Sequence, residues 1–150
     1  MHIRPATLAD LDTICDFNVR LAQESEGKTL AADLVRAGVR ALLEDANKGR
    51  YLVAESAGTV VGQLAVTFEW SDWRNGWFWW IQSVYVHADA RKSGVFRALF
   101  DHLRMQASKE GVIGIRLYVE EDNQIAQATY ERLGLAWTSY RVMEIHPLAR

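Results

Sequence analysis

A short basic segment around one glycine has the residue types needed to bind an anion. Its candidate anion-binding residues are Arg91, Lys92, Gly94 and Arg97. A helix should begin at this point, because Val95, Leu99 and Leu103 recur every four residues and form one apolar face. The first turn of a helix presents backbone N–H groups that have no partner inside the helix, and this end is electropositive. Since glycine has no Cβ to obstruct approach, the segment predicts a site for a phosphate or pyrophosphate.

The element before this segment is expected to be a strand. Residues Ile81–Val86 alternate and are rich in β-branched and aromatic side chains, which is typical of a buried or half-buried strand. The order is therefore strand, basic turn and amphipathic helix. This order would place the anion site at the end of a strand.

Two segments together resemble a known family. The pattern Arg91-x-x-Gly94-x-Phe96, which follows a Val-Tyr-Val strand, resembles the acyl-CoA pyrophosphate loop of the GNAT superfamily of N-acetyltransferases. A second segment resembles another block of that family through Val119, Asn123, Ala126, Tyr130, Gly134 and Leu135. Either motif alone is weak, but the two occur in the family's order, about 30 residues apart. The resemblance covers Tyr51–Ile145 well and the preceding residues loosely.

The resemblance implies that acetyl-CoA binds as a co-substrate. In GNAT-like proteins the pantetheine arm lies between two parallel strands that splay apart, and here Val84–Val86 would line that gap. One backbone N–H of this strand would polarise the thioester carbonyl and stabilise its oxyanion. The cofactor-binding residues implied in this way are Val84, Tyr85, Val86, Arg91, Lys92, Ser93, Gly94, Val95, Phe96, Arg97, Asn123 and Tyr130.

The same resemblance implies direct transfer of the acetyl group to a primary amine of a small molecule or a peptide. Such a reaction gains mainly from holding the two reactants aligned in one cleft. Tyr130 resembles the family's general acid, although it could instead anchor its helix as a packed aromatic residue. Asn123 matches the CoA-contacting position and could also cap a helix.

The general base is less evident. Many relatives have Glu or Asp where this chain has Gln82 or Ser83, and because an amide cannot take a proton, Gln82 would orient a water molecule instead. Carboxylates at predicted strand ends are Glu69, Glu120 and Glu121, for which the ordinary role is that of solvated edge residues. The predicted catalytic set is Tyr130, Gln82 and Glu120. Phe96 is a second departure, because the family usually has Gly or Ala there.

Two other functions are compatible with the sequence. A non-catalytic acyl-CoA-binding or sensing module would keep the basic loop and lack the base. An aromatic-ligand or protein-interaction domain would use a predicted hairpin that carries five of the six tryptophans, which are Trp70, Trp73, Trp77, Trp79 and Trp80. These side chains would either pack both faces of the sheet or form a ligand platform or a homodimer surface.

Composition limits the remaining possibilities. The chain has 150 residues, a net charge of −2 and a pI near 6.1, which argues against a general nucleic-acid or acidic-membrane binder. Cys15 is the single cysteine, and the four histidines lack ligand spacing, so no metal site is expected. The first residues form no apolar signal segment, which predicts a soluble cytoplasmic protein. The length predicts a single domain over residues 1–150.

The predicted fold is of the α/β (α+β) class. It has a GNAT-like mixed, mostly antiparallel central sheet of six to seven strands, flanked by about four helices and splayed between the fourth and fifth strands. The strands are expected at His2–Arg4, Tyr51–Glu55, Val60–Trp70, Trp77–Val86, Val112–Val119 and Leu135–Ile145. The helices are expected from Thr7 to Gly27, at Ala31–Ala46, from Val95 to Glu110 and at Gln124–Leu133.

Overall fold

The computed structural model describes residues 1–148. Its elements in chain order are β1 (His2–Pro5), α1 (Leu11–Glu26), α2 (Ala32–Glu44), β2 (Gly49–Ser56), β3 (Thr59–Ser71), β4 (Gly76–Val86), α3 (Val95–Lys109), β5 (Gly114–Leu117) and α4 (Gln124–Arg132). Short 3₁₀ turns at Leu8–Asp10 and Ala88–Ala90 precede α1 and α3. The elements up to β5 belong to one compact unit, Met1–Tyr118, and a second unit begins at Val119.

The first unit contains a mixed sheet in the order β1-β2-β3-β4-β5. The first three pairings are antiparallel, and β5 joins β4 in parallel, as expected for a mixed, mostly antiparallel sheet. The parallel pairing joins only Phe78–Ile81 to Gly114–Leu117. β4 continues to Val86, so its last five residues extend beyond the ladder with β5.

A β-bulge interrupts β4 where this ladder ends. Ile81 lies opposite Val66 and Ser83 lies opposite Ala65, so Gln82 is an extra residue without an opposite partner on β3. An extra residue of this kind bends the strand and increases its twist. The bend therefore divides β4 into a half that pairs with β5 and a half that does not.

Helices cover both faces of the sheet. α1 and α2 pack on one face through a cluster of buried residues, Leu11, Ile14, Val39, Tyr51, Val53 and Ala65. α3 packs on the other face at Gly62, where an added Cβ would lie only 2.7 Å from the Val95 side chain and 3.5 Å from Leu99. The strand places Gly62 and Gln63 on opposite faces, and Gln63 contacts Asn18 of α1. Glycine at position 62 thus allows the first turns of α3 to approach β3 closely.

A capping box precedes α1. The Thr7 hydroxyl accepts a hydrogen bond from the Ala9 N–H, and the Asp10 carboxylate accepts one of 2.8 Å from the Thr7 N–H. Asp10 also accepts two hydrogen bonds of 2.9 Å from Arg4 on β1. The cap therefore joins the first helix to the edge strand of the sheet.

The prediction of six to seven strands is wrong, because the sheet has five strands within the described part of the chain. The segment from Leu135 to Ile145 alternates as a strand does, but the structure assigns it no strand. Alternation reports which side chains share a face, whereas a strand also needs a neighbouring edge with which to exchange hydrogen bonds. The four predicted α-helices and the mixed, mostly antiparallel sheet are confirmed.

Two element boundaries also differ from the prediction. α2 ends at Glu44 rather than Ala46, because Asp45 has extended backbone angles. β5 is half as long as the predicted strand, since the Val112 N–H donates to the Ala107 carbonyl and so still belongs to the end of α3. No helix among residues 1–148 is long and apolar enough to cross a membrane.

Candidate active site

The turn between β4 and α3 is open on the side where the helix begins. Gly94 is the N-cap of α3 and has left-handed backbone angles, with φ 83° and ψ 10°. No atom lies within 4 Å of the position that a Cβ of this residue would occupy. The Ala98 N–H donates to the Gly94 carbonyl at 3.0 Å and so closes the first turn of the helix. The space beside Gly94 at the start of α3 is therefore open, as an anion site at a helix start requires.

The charged side chains of the turn differ in their partners. Arg91 donates to the Glu24 carboxylate of α1 at 2.5 Å and to the Val86 carbonyl at 3.0 Å. Arg97 pairs with Asp101 one helical turn later, at 3.0 Å. Lys92 is exposed and forms no ion pair with any residue of the described chain. A phosphate at this turn would meet Lys92 directly and would compete with Glu24 for Arg91.

Arg91 and Glu24 form a small network with Tyr85. The Tyr85 hydroxyl donates to the second oxygen of the Glu24 carboxylate at 3.0 Å, and the Arg91 guanidinium lies 5.5 Å from the Tyr85 ring. The Arg91 hydrogen bond lowers the pKa of Glu24, while burial and then the Glu24 carboxylate raise the pKa of Tyr85. The network fixes the end of β4 to α1 and keeps Glu24 ionised.

Phe96 does not obstruct the turn. Its ring is half-buried and lies 6.0 Å from the ring of Phe100, centroid to centroid. The side chain therefore extends along the helix toward Phe100, as a residue larger than Gly or Ala must if the backbone is to stay accessible.

The predicted cofactor strand Val84–Val86 pairs with β3 on one side only. Its opposite residues on β3 are Gly62, Gln63 and Leu64. On the other side the ladder with β5 has already ended at Ile81. Of the backbone groups in this half, the Val86 carbonyl accepts from Arg91. This half of β4, here called the open half, thus extends beyond the ladder with β5 and leads to the turn at Gly94.

Gln82 lies at the bulge with an exposed side chain. Its amide donates to the Thr67 hydroxyl at 2.9 Å. Thr67 lies opposite Trp80, and Glu69 lies opposite Phe78. The side chains of these four residues and of Gln82 therefore belong to one face of the sheet. We call this set, with Arg116 of the neighbouring β5 and Tyr118, which follows β5, the aromatic face.

The aromatic face carries one ion pair and two stacked groups. Glu69, whose side chain is 43% exposed, accepts a hydrogen bond of 2.9 Å from Arg116. The Arg116 guanidinium lies 3.7 Å from the centre of the Phe78 ring, and the Trp80 and Tyr118 rings are 4.6 Å apart. Flat rings beside a partly exposed carboxylate suit a ligand that carries an amine or a sugar ring.

A buried polar group on the same side of the sheet was missed by sequence reasoning. Gln63 is fully buried and donates to the Asn18 side chain at 2.8 Å, and Asn18 donates to the Tyr51 hydroxyl at 3.1 Å. The Gln63 side-chain oxygen has no partner within residues 1–148. The available signal was a single amide inside the apolar strand of residues 60–66, which marks a position that needs a polar neighbour.

The remaining predicted residues belong to the second unit. The Asn123 side chain caps α4 by accepting from the Ala126 N–H at 3.1 Å, which confirms its predicted cap role. Tyr130 is half-buried in α4, and burial raises the pKa of its hydroxyl, so the group stays protonated at neutral pH. Glu120 is exposed, and its backbone carbonyl accepts from Gln127 at 2.9 Å.

The tryptophans of the β3–β4 hairpin divide into two groups. Trp79 is buried and its ring lies under the Arg50 guanidinium at 4.7 Å, so of the two alternatives packing in the sheet applies to Trp79. Trp70 and Trp77 meet edge to face at 5.2 Å near the exposed end of the hairpin. Trp73 in the turn is 87% exposed. Among residues 1–148 no group of three His, Cys, Asp or Glu side chains could hold a metal ion.

Comparison with known proteins identifies the family. The model of the Acetyltransferase (GNAT) family matches residues 14–135. The chain is 47% identical to a possible acetyltransferase from Clostridium difficile 630, whose crystal structure aligns with a TM-score of 0.93 over 99% of this chain and 98% of that chain. The chain therefore belongs to the GNAT family of acetyltransferases.

More distant structures share the fold. A ribosomal-protein-alanine N-acetyltransferase from Brucella melitensis biovar Abortus 2308 is 21% identical, with a TM-score of 0.74 over 95% of this chain and 98% of that chain. The aminoglycoside N-acetyltransferase AAC(6')-Iy in complex with CoA is 16% identical, with a TM-score of 0.80 over 98% of this chain and 95% of that chain.

Proposed function

We propose that this protein transfers the acetyl group of acetyl-CoA directly to a primary amine of a small molecule or a peptide. The observation that carries the proposal is the turn at Gly94, where an unobstructed helix start lies next to the open half of β4. Helix starts of this kind bind phosphate through backbone N–H groups. A strand edge next to it can pair with the amides of a pantetheine arm.

The residues of the turn fit the diphosphate of acetyl-CoA. Gly94 leaves the space above the first turn of α3 free, and Lys92 and Arg97 supply positive charge from exposed positions. Arg91 would contribute by exchanging Glu24 for a phosphate oxygen. The net charge of −2 leaves no general attraction for anions, so this local group of cations would select the ligand.

The open half of β4 would position the thioester. A backbone N–H from Val84–Val86 would donate to the thioester carbonyl and stabilise the oxyanion as the amine adds. Because both reactants would lie in one cleft, the amine attacks without a covalent enzyme intermediate. Tyr130, with its protonated hydroxyl, is the proposed acid that returns a proton to the leaving thiolate.

Removal of the amine proton needs an acceptor. Gln82 is held by Thr67 at the bulge and would orient a water molecule toward the amine. Glu69, two residues from Thr67 on the same face, and Glu120 are the carboxylates that could receive the proton from that water. Of the two, Glu69 is supported by its position on the face that carries Gln82.

The amine acceptor would bind over the aromatic face. Its rings and the Glu69 carboxylate suit an ammonium group or a sugar ring. The names of the two distant relatives describe one acceptor on a protein and one on an aminoglycoside, which supports keeping both peptides and small molecules in the proposed range.

The test is amine-dependent thiol release from acetyl-CoA over a pool of small amines and peptides, with acetylated products identified by mass spectrometry. We expect release only with amine present, and a loss of about 100-fold in kcat for Tyr130→Phe. Tyr140→Phe, which removes an exposed hydroxyl of the second unit, is the matched control and should keep full activity.

The amide at position 82 favours one second candidate, a module that binds acyl-CoA without catalysis. Gln82→Glu separates the two. An active enzyme should retain turnover with this variant and acquire a new acidic limb in its pH–rate profile, because a carboxylate now lies at the bulge. Tight CoA binding by the wild-type protein, with no thiol release from any amine, would instead identify the module.

A further inference from the structure

A line of hydrogen-bonded polar side chains lies between α1 and the sheet. Gln63 of β3 is fully buried, and its amide nitrogen donates to the Asn18 side-chain oxygen at 2.8 Å. The Asn18 nitrogen donates in turn to the Tyr51 hydroxyl at 3.1 Å. Both hydrogen bonds run in the same direction, from Gln63 toward Tyr51. The reaction proposed above gives none of these three buried or half-buried groups a role.

Ser83 is the next member of this line. Tyr51, Ala65 and Ser83 lie opposite one another on β2, β3 and β4, so their side chains form one row on the face that α1 covers. Because the middle residue of the row is alanine, the Tyr51 ring can reach across it toward Ser83. Burial raises the pKa of Tyr51, and its hydrogen bonds with Asn18 and Ser83 lower it. Ser83 is half-buried and directly follows the bulge residue Gln82.

The hydrogen bonds determine where the hydroxyl protons point. The Tyr51 hydroxyl accepts from Asn18, so its own proton needs another acceptor. The Asn18 oxygen already accepts from Gln63, and the Gln63 oxygen has no partner within residues 1–148. The Ser83 oxygen is therefore the acceptor of the Tyr51 proton, and the proton of Ser83 points away from the buried residues. A line that ran the other way would have Ser83 donating inward and would leave the buried Gln63 nitrogen without a partner.

We propose that the Ser83 hydroxyl donates a hydrogen bond to the thioester carbonyl oxygen of bound acetyl-CoA. Gln63, Asn18 and Tyr51 are the positioning residues that direct its proton. A hydroxyl fixed as a donor suits a carbonyl oxygen, whereas the attacking amine must keep its lone pair free for the thioester carbon. This inference rests on the proposed function, because it places the thioester at the start of the open half of β4.

The hydroxyl would act on the charge that develops during transfer. As the new C–N bond forms, the electron pair of the carbonyl moves to its oxygen, and it returns when the C–S bond breaks and the thiolate leaves. Ser83 keeps its own proton throughout, and its hydrogen bond is strongest while the oxygen is negative. Because the proton is directed before acetyl-CoA arrives, the donor needs no reorientation during the reaction.

The first experiment measures steady-state kinetics with acetyl-CoA and the amine that gives the fastest thiol release in the pool. Ser83→Ala should lower kcat about 100-fold and change the KM for acetyl-CoA by less than about threefold, because the lost hydrogen bond belongs to the transition state. Ser83→Thr keeps the hydroxyl and should stay within about fivefold of the wild type. The control Ser108→Ala removes an exposed hydroxyl of α3 and should change neither constant. A kcat for Ser83→Ala within about twofold of the wild type would overturn the proposal.

The second experiment tests whether the buried residues act through Ser83. Tyr51→Phe should lower kcat about tenfold in the wild-type background and less than about twofold in Ser83→Ala, because residues that act as a unit are not additive. Its effect on the melting temperature should be the same in both backgrounds. Equal losses of kcat in the two backgrounds would make Tyr51 a structural residue and reject the positioning role.

Asn18→Asp tests the direction of the hydrogen bonds. An ionised carboxylate can only accept, so it should take the Tyr51 proton, and Tyr51 would then accept the proton of Ser83. The variant should therefore lower kcat as much as Ser83→Ala does. An unchanged kcat would mean that Ser83 already donates inward in the wild type, which rejects the proposal.

The third experiment needs binding but no transfer. Infrared difference spectroscopy with acetyl-CoA that carries ¹³C at the carbonyl follows the thioester stretch on the protein. A hydrogen bond lowers this frequency, so the band should move to higher wavenumber in Ser83→Ala and return in Ser83→Thr. An identical band in the wild type and Ser83→Ala would reject the role of Ser83 and leave the proposed transfer intact. The band shift without thiol release from any amine would reject the transfer and support the contact, and a failure to bind acetyl-CoA would reject both.

Discussion

The two halves of β4 differ in what lies on their outer edge. From Phe78 to Ile81 the strand is paired with β5, and the Arg116 guanidinium stacks on the Phe78 ring. From Val84 to Val86 it is paired on one side only and leads into the open turn at Gly94. The bulge at Gln82 separates them. One strand therefore lies inside the sheet at its start and forms a proposed ligand-binding edge at its end. Substitutions in the paired half should change the stability of the protein, and substitutions beside the open half should change its affinity for CoA.

The largest expected effect is at the open half. Gly94→Glu places a carboxylate where we propose the diphosphate, and like charges at close range cost several kcal/mol, so CoA affinity should fall about 100-fold or more by titration calorimetry. The control is Gly111→Glu, because Gly111 also has a left-handed φ, 70°, and open space around it. Both variants carry the same backbone cost of about 1 kcal/mol, so their melting temperatures should agree. Unchanged CoA affinity in Gly94→Glu would mean that the diphosphate binds elsewhere.

The paired half should respond in the opposite way. A Cβ at Gly114 would lie 2.4 Å from the Phe78 ring, so Gly114→Val should destabilise the protein by about 2 kcal/mol through overpacking. Calorimetry should show a melting temperature lower by about 4–8 °C, with CoA affinity within about twofold of the wild type. Gly38→Ala, in an open position of α2, is the control and should not lower stability. A loss of CoA affinity larger than the loss of stability would show that the two halves are not separable.

A third prediction concerns Asp10, which caps the start of α1 beside the edge strand β1. Changes there should affect neither half of β4. Arg4 holds the pKa of Asp10 below its ordinary value of 3.8, mainly through hydrogen bonds. A carboxyl with a lowered pKa in the folded state contributes stability that is complete above the unfolded value and is lost as the pH falls through the folded one. The free energy of unfolding should therefore be flat from pH 7 to 5 and decrease below about pH 4.

Asp10→Asn tests this assignment in urea titrations. It should cost about 3 kcal/mol at pH 7 and make the decrease below pH 4 shallower, because Arg4 loses a largely buried partner. Asp33→Asn, in the exposed first turn of α2, should keep the wild-type pH profile. An Asp10→Asn profile parallel to that of the wild type would assign the acid sensitivity to other carboxylates.

The smallest effect is expected at Arg91. Arg91→Ala should weaken CoA binding about fivefold in low salt and less at high salt, since the side chain is exposed. Glu24→Gln should strengthen binding about twofold, because it releases Arg91 from its present partner. Fluorescence titration at two ionic strengths measures both. An equal loss for Arg91→Ala at low and high salt would indicate that Arg91 holds the turn in place rather than contacting the phosphate.

Sequence reasoning succeeded where the signal was local. The Gly94 helix start and the Asn123 cap each depend on residues within a few positions of one another. Their backbone angles and hydrogen bonds are set by the side chains in that window. The parallel pairing of β4 with β5 was also predictable, because a strand–helix–strand segment of this length forms a right-handed crossover between parallel strands.

Features that depend on distant partners were not predictable. The ion pair of Arg91 with Glu24 joins residues 67 positions apart, and the contact of Gln63 with Asn18 spans 45. The bulge at Gln82 exists because β4 has one residue more than β3 between the pairs Val66–Ile81 and Ala65–Ser83. The sequence of one strand alone does not reveal this difference. The strand predicted at Leu135–Ile145 was wrong for the same reason, because alternation within a segment does not reveal whether another strand is available to pair with it.

The close approach of α3 to β3 over Gly62 has a thermodynamic consequence for the turn above it. Val95 and Leu99, which contact this glycine, are both buried, so the beginning of α3 has little freedom to shift against the sheet. Backbone N–H groups that are fixed before a ligand arrives lose little conformational entropy when it binds. The affinity of the Gly94 turn would then reflect the strength of its hydrogen bonds and charges, with little loss to the ordering of the backbone.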